Sequence, residues 1–214
     1  MKKPPIHDLL LRGPVIPVVT LADAGDAVAL AEALLAGGIS TIEITLRTRD
    51  ALEGVRAIAR SGLPIAIGVG TCLRKEHLEA AAACGADFAV SPGATDALLA
   101  AAEQTGLPLL PGAATSAEVM RLAEAGYTCM KLFPAENVGG LGLLRAWQPV
   151  FQDIRFCPTG GITPANAPQY LSLANVPCVG GSWLAPKALL ETRDFAAISR
   201  LAAEARSLKP QPSH

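Results

Sequence analysis

Short runs rich in Val, Ile and Leu alternate with alanine-rich stretches of helical period from Pro14 almost to the end of the chain. This alternation predicts repeated βα units, in which parallel strands are connected by helices that cross back over the sheet. The predicted strands cover residues 14–20, 39–46, 64–69, 86–90, 107–110, 127–133, 154–158 and 176–179. The predicted helices cover residues 23–36, 50–60, 74–83, 95–104, 115–124, 140–147, 164–173 and 193–206.

Residues typical of helix ends lie at the boundaries of the predicted helices. Side chains that can cap free backbone N–H groups precede four predicted helices: Asp23, Thr95, Ser116 (with neighbouring Glu118) and Thr163 (before Pro164). Glycine adopts a positive φ without steric cost and therefore often ends a helix. Five glycines are expected to do so here: Gly37, Gly62, Gly85, Gly106 and Gly126.

Eight βα units match a closed (β/α)8 TIM barrel better than an open doubly wound sheet. The chain has 214 residues, and such a barrel needs at least about 200. We therefore expect one domain over residues 1–214 with short loops, and an extra N-terminal helix near residues 4–12 that covers the floor. Active sites of such barrels lie at the carboxyl ends of the strands.

The charge distribution and the N-terminus bear on partners and location. Lys and Arg number 18 and Asp and Glu number 19, with no run of like charge, so neither nucleic acid nor a membrane surface is an expected partner. Lys2 and Lys3 precede three leucines, but Pro4, Pro5 and Asp8 interrupt any apolar core. We therefore expect no signal peptide or membrane span, and a cytoplasmic protein.

The cysteines are odd in number and widely spaced, and none forms a Cys-x-x-Cys pair. They are Cys72, Cys84, Cys129, Cys157 and Cys178. This pattern favours buried reduced thiols that act as small apolar side chains.

The second predicted strand carries polar residues on one face. Glu43, Thr45 and Arg47 alternate with aliphatic residues, so a period of two places them together. If the aliphatic face packs against the helices, Glu43 and Arg47 project into the barrel mouth. A structural pair between Glu43 and Arg47 is the alternative.

The sixth predicted strand places Lys131 between Met130 and Leu132. An ammonium group is rarely buried without a partner. Desolvation favours the neutral amine, the form that attacks carbonyl groups, so Lys131 is a candidate nucleophile. The alternative is a lysine that pairs with a carboxylate for structure, and Glu43 could be that carboxylate.

Glycine pairs follow the seventh and eighth predicted strands, in Thr159-Gly160-Gly161 and Gly180-Gly181-Ser182. Barrels that bind phosphorylated substrates commonly use backbone N–H groups from these two loops, where glycine allows close approach. One Gly-Gly pair is a weak signal. Two pairs at these positions indicate a site for phosphate or another anion.

Metal chemistry has no support in the sequence. His7, His77 and His214 lie in the leading segment, on an outer helix and at the chain end, and no spacing brings them to one cation. We therefore expect neither a metal nor a cofactor. Gly68-Val69-Gly70-Thr71 is too short for a dinucleotide fingerprint, and it is interpreted as a strand end that exposes Thr71 to the barrel mouth.

These residues belong to longer motifs that run from Gly13 to Trp183. In chain order the motifs are Pro14-Val15-Ile16-Pro17-Val18, Ile42-Glu43-Ile44-Thr45-Leu46-Arg47-Thr48, Gly68-Val69-Gly70-Thr71, Ser91-Pro92-Gly93, Lys131-Leu132-Phe133-Pro134-Ala135-Glu136, Pro158-Thr159-Gly160-Gly161-Ile162 and Gly180-Gly181-Ser182-Trp183. With these motifs in this order, the chain resembles the 2-keto-3-deoxy-6-phosphogluconate (KDPG) aldolases. Those enzymes also act as 4-hydroxy-2-oxoglutarate (KHG) aldolases.

The resemblance implies a class I aldolase that needs no cofactor and assembles as a homotrimer of barrels. It would cleave KDPG to pyruvate and glyceraldehyde 3-phosphate, a reaction of the Entner–Doudoroff type, and also KHG to pyruvate and glyoxylate. In related enzymes that act on the galactonate epimer, valine tends to occupy the position of Thr159. The threonine here therefore favours the gluconate configuration.

The resemblance also implies roles for individual residues. Lys131 would form the Schiff base, Glu43 would be the general acid and base, and Arg47 with Thr71 would hold the pyruvoyl carboxylate. Pro92 and Phe133 would line the pyruvyl pocket. The phosphate end would be formed by Thr159, Gly160, Gly161, Gly181 and Ser182.

Two other classes of protein remain as alternatives. A phosphate-binding barrel isomerase or phosphosugar synthase would share the Gly-Gly loops but has no need of Lys131 within a strand. A non-catalytic barrel that serves as an interaction scaffold would be expected to fill its mouth with apolar side chains, unlike the polar Glu43, Arg47 and Lys131 here.

Overall fold

The chain alternates parallel strands and helices, as the sequence predicts. The computed structural model describes residues 3–208, so Lys2 and His214 lie outside the described residues. The strands are β1 (Val15–Val19), β2 (Thr41–Thr45), β3 (Ala66–Gly70), β4 (Phe88–Val90), β5 (Leu109–Leu110), β6 (Gly112–Ala113), β7 (Cys129–Leu132), β8 (Arg155–Pro158) and β9 (Val179–Gly181). The helices are α1 (Ile6–Leu10), α2 (Ala27–Ala36), α3 (Ala51–Ser61), α4 (Lys75–Ala83), α5 (Asp96–Thr105), α6 (Ser116–Glu124), α7 (Gly140–Trp147), α8 (Ala167–Leu171), α9 (Lys187–Glu191) and α10 (Phe195–Ser207), with 3-10 turns at Ala24–Asp26 and Glu136–Val138.

The strands close into a barrel. Parallel pairing gives one sheet in the order β5-β4-β3-β2-β1-β9 and a second in the order β6-β7-β8. Only Pro111 separates β5 from β6, and a parallel bridge between Thr159 and Gly180 joins the end of β8 to β9. The predicted (β/α)8 barrel is therefore confirmed within residues 3–208, with its fifth strand divided into β5 and β6.

Pro111 explains the division of the fifth strand. A proline has no N–H to donate to a neighbouring strand, so the ladder is interrupted there. Its carbonyl still accepts a hydrogen bond from the Lys131 backbone N–H, at 2.8 Å. The strand predicted at 107–110 thus continues past the proline to Ala113.

Helix α1 closes the amino end of the barrel, as expected for the segment near residues 4–12. Leu9 and Leu10 are buried in an interior cluster with inward-facing strand residues. That cluster also contains Ile16, Ala66, Phe88, Val90, Leu110, Cys129, Cys157 and Cys178. The barrel therefore has an apolar floor, above which the charged side chains of Glu43 and Lys131 lie.

A second cluster lies between the strands and the surrounding helices. Ile42 and Ile44 of β2 are fully buried in it, and Leu46 packs against it. Glu43 belongs to neither apolar cluster, although it is also buried. The predicted period of two in β2 is confirmed.

Two predicted helix caps are confirmed and two need correction. The Thr95 hydroxyl accepts a hydrogen bond from the Leu98 N–H at the start of α5, and the Asp23 carboxylate caps the 3-10 turn before α2. The cap of α6 is Thr115 rather than Ser116, because Thr115 has the extended backbone and completes a capping box with Glu118.

The start of α8 and one glycine stop also differ from the prediction. Helix α8 begins at Ala167, because residues 163–166 form a turn in which the Asn166 side chain accepts from the Thr163 N–H at 2.8 Å. Gly37 has φ −82°, and the positive φ of 81° falls on Gly38. A side chain at Gly37 would lie 2.9 Å from the backbone nitrogen of Ala203, so Gly37 allows α2 and α10 to pack closely. The other four predicted glycines, Gly62, Gly85, Gly106 and Gly126, have positive φ.

The cysteines are buried free thiols, as predicted. Burial raises the pKa of the Cys72 thiol to about 12. The pKa of Cys178 is raised well above its usual value by a hydrogen bond to Cys157, at 3.7 Å between the sulfurs, and by burial. The Cys72 and Cys178 thiols therefore stay protonated and act as apolar side chains. Among residues 3–208, no helix has both the length and the apolar character that crossing a bilayer requires.

Candidate active site

Lys131 and Glu43 form an ion pair inside the carboxyl end of the barrel. The Nζ atom of Lys131 lies 3.2 Å from Oε1 and 3.4 Å from Oε2 of Glu43. The two residues are only 6% and 3% exposed. Nζ also lies 5.3 Å from the ring centroid of Phe133. A charged pair withdrawn from water is costly to maintain, so it points to a function at this position.

The barrel register brings the two residues of this pair together. Lys131 stands in β7, between Gly112 of β6 and Cys157 of β8. Glu43 is the central residue of β2 and is paired with Val18 of β1 and Gly68 of β3. Both side chains point inward from opposite parts of the barrel wall, above the apolar floor.

A cavity of about 260 Å³ surrounds the pair. Seven of the residues predicted for the site line it: Glu43, Arg47, Thr71, Pro92, Lys131, Phe133 and Thr159. Carboxylate, ammonium, guanidinium and hydroxyl groups thus converge at the end of the barrel where active sites of this fold lie. The expectation for a scaffold, a mouth filled with apolar side chains, is not met.

Val18 also lines the cavity, although the motif that contains it, residues 14–18, predicts no role for it in the site. It follows Ile16 by two residues on β1 and is paired with Glu43 in the neighbouring strand. Comparing inward-facing positions at the level of Glu43 could have found it.

Arg47 is an exposed cation at the cavity mouth. Glu43 pairs with Lys131, and within residues 3–208 Arg47 makes no salt bridge, so the alternative of a structural Glu43–Arg47 pair is wrong. A guanidinium without a carboxylate partner can bind a planar anion through two parallel hydrogen bonds.

Thr45 shares the inward face but stabilises the barrel rim. Its hydroxyl donates to the Val19 carbonyl at 3.0 Å and lies 3.1 Å from the hydroxyl of Thr20. These contacts tie β1 to β2 directly below Arg47.

Thr71 lies just beyond β3 with φ 65°, in the left-handed region that a β-branched residue rarely adopts. Such a conformation costs about 1–3 kcal/mol and is found mostly at functional sites. The next residue, Cys72, anchors the turn through its N–H, which donates to the Val90 carbonyl at 3.0 Å. The turn places Thr71 on the cavity wall.

The other four predicted residues lie outside the cavity wall, Gly160 and Gly161 in the loop after β8, Gly181 at the end of β9 and Ser182 just after it. Gly160 and Gly161 have φ 98° and 78°, where other residues would be strained. Gly181 is buried behind the ring of Trp183, and Ser182 is exposed. Their roles at a phosphate end stay predictions.

The cavity is not the largest depression of the surface. A groove of about 620 Å³ lies around Glu103, Gly106, Leu107 and Tyr127, between the end of α5 and the start of β7. It opens on the outside of the barrel, away from the carboxyl ends of the strands. The Lys131 cavity is therefore the stronger candidate, because the reactive groups converge there.

The two histidines that the structure describes, His7 and His77, do not converge on a cation. His7 is exposed on α1, and Nδ1 of His77 accepts a hydrogen bond from the Leu73 N–H at 3.2 Å. Among residues 3–208, no three His, Cys, Asp or Glu side chains are placed to hold a metal ion. A metal-independent reaction stays a prediction.

A closed parallel barrel with a buried amine and a carboxylate at its carboxyl end defines the class: this is a barrel lyase of the aldolase type. The family described as KDPG and KHG aldolase matches residues 6–201. The chain belongs to this family, and the alternative of an isomerase or phosphosugar synthase is not favoured.

Individual relatives agree with the family. The 2-dehydro-3-deoxy-phosphogluconate aldolase of Pseudoalteromonas atlantica is 48% identical, with 93% of each chain covered. The KHG/KDPG aldolase of Escherichia coli is 45% identical, again with 93% of each chain covered. The crystal structure of a KDPG aldolase from Legionella pneumophila, with pyruvate captured as a covalent carbinolamine intermediate, has a TM-score of 0.90 and 40% identity over 92% of this chain and 96% of that one.

Proposed function

We propose that the protein is a class I aldolase that cleaves KDPG to pyruvate and glyceraldehyde 3-phosphate, and KHG to pyruvate and glyoxylate. The observation that carries this proposal is the buried contact of 3.2 Å between Lys131 Nζ and Glu43. The names of the relatives support the substrates, and the carbinolamine of the Legionella enzyme supports covalent chemistry with a 2-oxo acid.

Lys131 serves as the nucleophile. Transfer of a proton from Nζ to Glu43 along their hydrogen bond leaves a neutral amine, which attacks C2 of the 2-oxo acid. Glu43 returns this proton to the hydroxyl group of the resulting carbinolamine, and loss of water leaves a protonated imine and the Glu43 carboxylate. When the C3–C4 bond breaks, its electron pair moves into this imine and forms an enamine.

Glu43 carries the protons in the later steps. Its carboxylate accepts the proton of the C4 hydroxyl as the aldehyde departs, and then returns a proton to C3 of the enamine. Hydrolysis of the pyruvate imine restores Lys131. Lys131 and Glu43 line one cavity. The Glu43 carboxylate can therefore accept the C4 hydroxyl proton and return a proton to C3 without leaving the site.

The two halves of the substrate meet different parts of the site. Arg47 and Thr71 hold the carboxylate of the pyruvoyl half, beside Pro92 and Phe133. The distal phosphate extends past Thr159 toward the loop with Gly160 and Gly161 and toward Gly181 and Ser182, where β9 passes into the next loop. A phosphate dianion would accept hydrogen bonds from the N–H groups and hydroxyls of these loops.

Substrate choice tests the phosphate end. We expect KDPG to have the highest kcat/KM, with the unphosphorylated KHG and the galactonate epimer lower. Ser182→Ala should lower kcat/KM for KDPG by about 10-fold or more, because a charge-assisted hydrogen bond is worth roughly 1.5–3 kcal/mol.

KHG provides the internal control for Ser182→Ala, since it places no phosphate in the loops and should be cleaved at an unchanged rate. The measurement is kcat/KM for all three compounds with the wild type and the variant. Equal values for KDPG and KHG in the wild type would show that the glycine loops are only structural turns.

Treatment with a chelator tests whether the protonated imine, rather than a metal ion, is the electron sink. Because the protonated imine takes the electrons released by cleavage, EDTA should leave kcat unchanged within error after prolonged dialysis. A loss of activity that zinc or magnesium restores would contradict the class I mechanism.

The assembly rests on the family resemblance, and the location on the sequence. We infer a homotrimer in the cytoplasm, one domain per chain and a small phosphorylated 2-oxo acid as the ligand. Light scattering of the purified protein measures the oligomeric state.

A further inference from the structure

We propose that Gly70 is a positioning residue for the reaction, because its lack of a side chain makes the space in which the Glu43 carboxylate lies. This inference rests on the proposed role of Glu43 as acid and base. It assigns a function to a glycine that has no side chain with which to take part in the reaction.

Gly70 and Glu43 lie side by side on the neighbouring strands β3 and β2. It is the last residue of β3 and is paired with Thr45 of β2, whereas Glu43 itself is paired with Gly68. The Glu43 side chain therefore leans along the strand direction over Gly70. A Cβ atom at position 70 would lie 2.8 Å from both Cγ and Cδ of Glu43, and closer still to Oε1. These distances are well inside van der Waals contact.

The backbone does not require glycine at this position. Gly70 lies in a regular strand, and its φ is outside the left-handed region. An alanine could adopt the same backbone without strain. Glycine is therefore needed at position 70 for the space that the Glu43 side chain occupies.

A displaced Glu43 side chain would have to turn into the cavity that it lines, away from its present contact with Lys131. The Glu43 side chain is 4% exposed, and its carboxylate lies within 3.4 Å of Lys131 Nζ through both oxygens. An alanine at position 70 would displace the carboxylate from the reacting atoms while leaving Lys131 in β7 unchanged. Imine formation should then persist at a reduced rate, whereas the later proton transfers at the C4 hydroxyl and at C3 should fail.

The variant Gly70→Ala tests whether imine formation and the later proton transfers can be separated. We expect hydrogen–deuterium exchange at the methyl group of pyruvate to fall about 10²-fold or more, the lower end of what a general base contributes. Borohydride should still trap pyruvate on Lys131, at a rate reduced much less than that of exchange. The measurements are methyl exchange by proton NMR and trapping by intact mass.

Gly68→Ala is the matched control, two residues earlier on the same face of β3. Its Cβ would lie 2.8 Å from Cε1 of Phe88, and closer still to Cζ, so it crowds the apolar interior and not Glu43. We expect it to lower the melting temperature without separating exchange from trapping. The proposal fails if Gly70→Ala also leaves the ratio of the two rates unchanged.

Double variants link the effect to Glu43. In a Glu43→Gln background, Gly70→Ala should slow exchange no further, because the residue through which it acts is already disabled. If Gly70→Ala alone does not fold, Gly70→Ala with Glu43→Ala should, with a melting temperature close to that of Glu43→Ala, since the clash is gone. A large further loss in either double variant would overturn the proposal. If Glu43→Gln alone keeps normal exchange, the proposed role of Glu43 is wrong instead.

Discussion

Replacement of Lys131 by methionine is expected to abolish covalent capture of pyruvate and to lower kcat/KM for KDPG by at least about 10⁴-fold, as for loss of a covalent nucleophile. Methionine keeps an unbranched stem and removes the amine, so no imine forms and the electrons of the C3–C4 bond have no sink. Incubation of the wild type with pyruvate and borohydride should add one reduced pyruvyl group per chain, on Lys131. Intact mass and peptide mapping measure both results.

Lys75→Met provides the control, since Lys75 is an exposed lysine on α4 that pairs with Glu79 at the surface. This variant should be labelled and should turn over normally. Because Lys131→Met leaves Glu43 buried without its partner, the double variant Lys131→Met with Glu43→Gln keeps the test valid if the single variant unfolds. Pyruvate labelling that persists without Lys131 would refute its assignment.

Replacement of Glu43 by glutamine is expected to slow aldol cleavage and exchange at the pyruvate methyl about 10²- to 10⁴-fold. Glutamine keeps the size of the side chain and cannot carry the proton. Trapping of pyruvate on Lys131 should continue at a reduced rate, because the amine itself is intact. NMR exchange and borohydride trapping on the same preparation distinguish the two steps.

Glu79→Gln serves as the matched control, because Glu79 is a half-exposed carboxylate on α4, outside the barrel. It should change neither rate. Normal exchange in Glu43→Gln would remove Glu43 from the mechanism and leave its contact with Lys131 as a structural ion pair.

The barrel could be predicted because its signals repeat along the chain. A period of two in β2 identified the inward face, and a charge within an apolar strand identified Lys131. Both signals are local, since they depend on neighbours in the sequence. The structure adds the contact between Lys131 and Glu43. These residues are 88 positions apart in the sequence and meet because the barrel closes.

Features that depend on register could not be predicted in the same way. Val18 is an apolar residue in an apolar strand, so nothing in its neighbours reveals that it faces the cavity. Helix α9 lies in the segment between the eighth strand and the last predicted helix, where no helix was predicted. The continuation of the fifth strand beyond Pro111 was missed because a proline usually ends a strand.

The ion pair of Lys131 and Glu43 serves turnover at a cost to thermal stability. Withdrawing two charges from water often costs more free energy than their attraction returns, and replacing such a pair by well-packed apolar residues is often neutral or stabilises a protein by about 1–4 kcal/mol. Selection for a high melting temperature alone would therefore tend to discard these two residues. Engineering of a more robust enzyme should instead target the apolar layer between strands and helices, where Ile42 and Ile44 lie on the far side of β2 from the reaction.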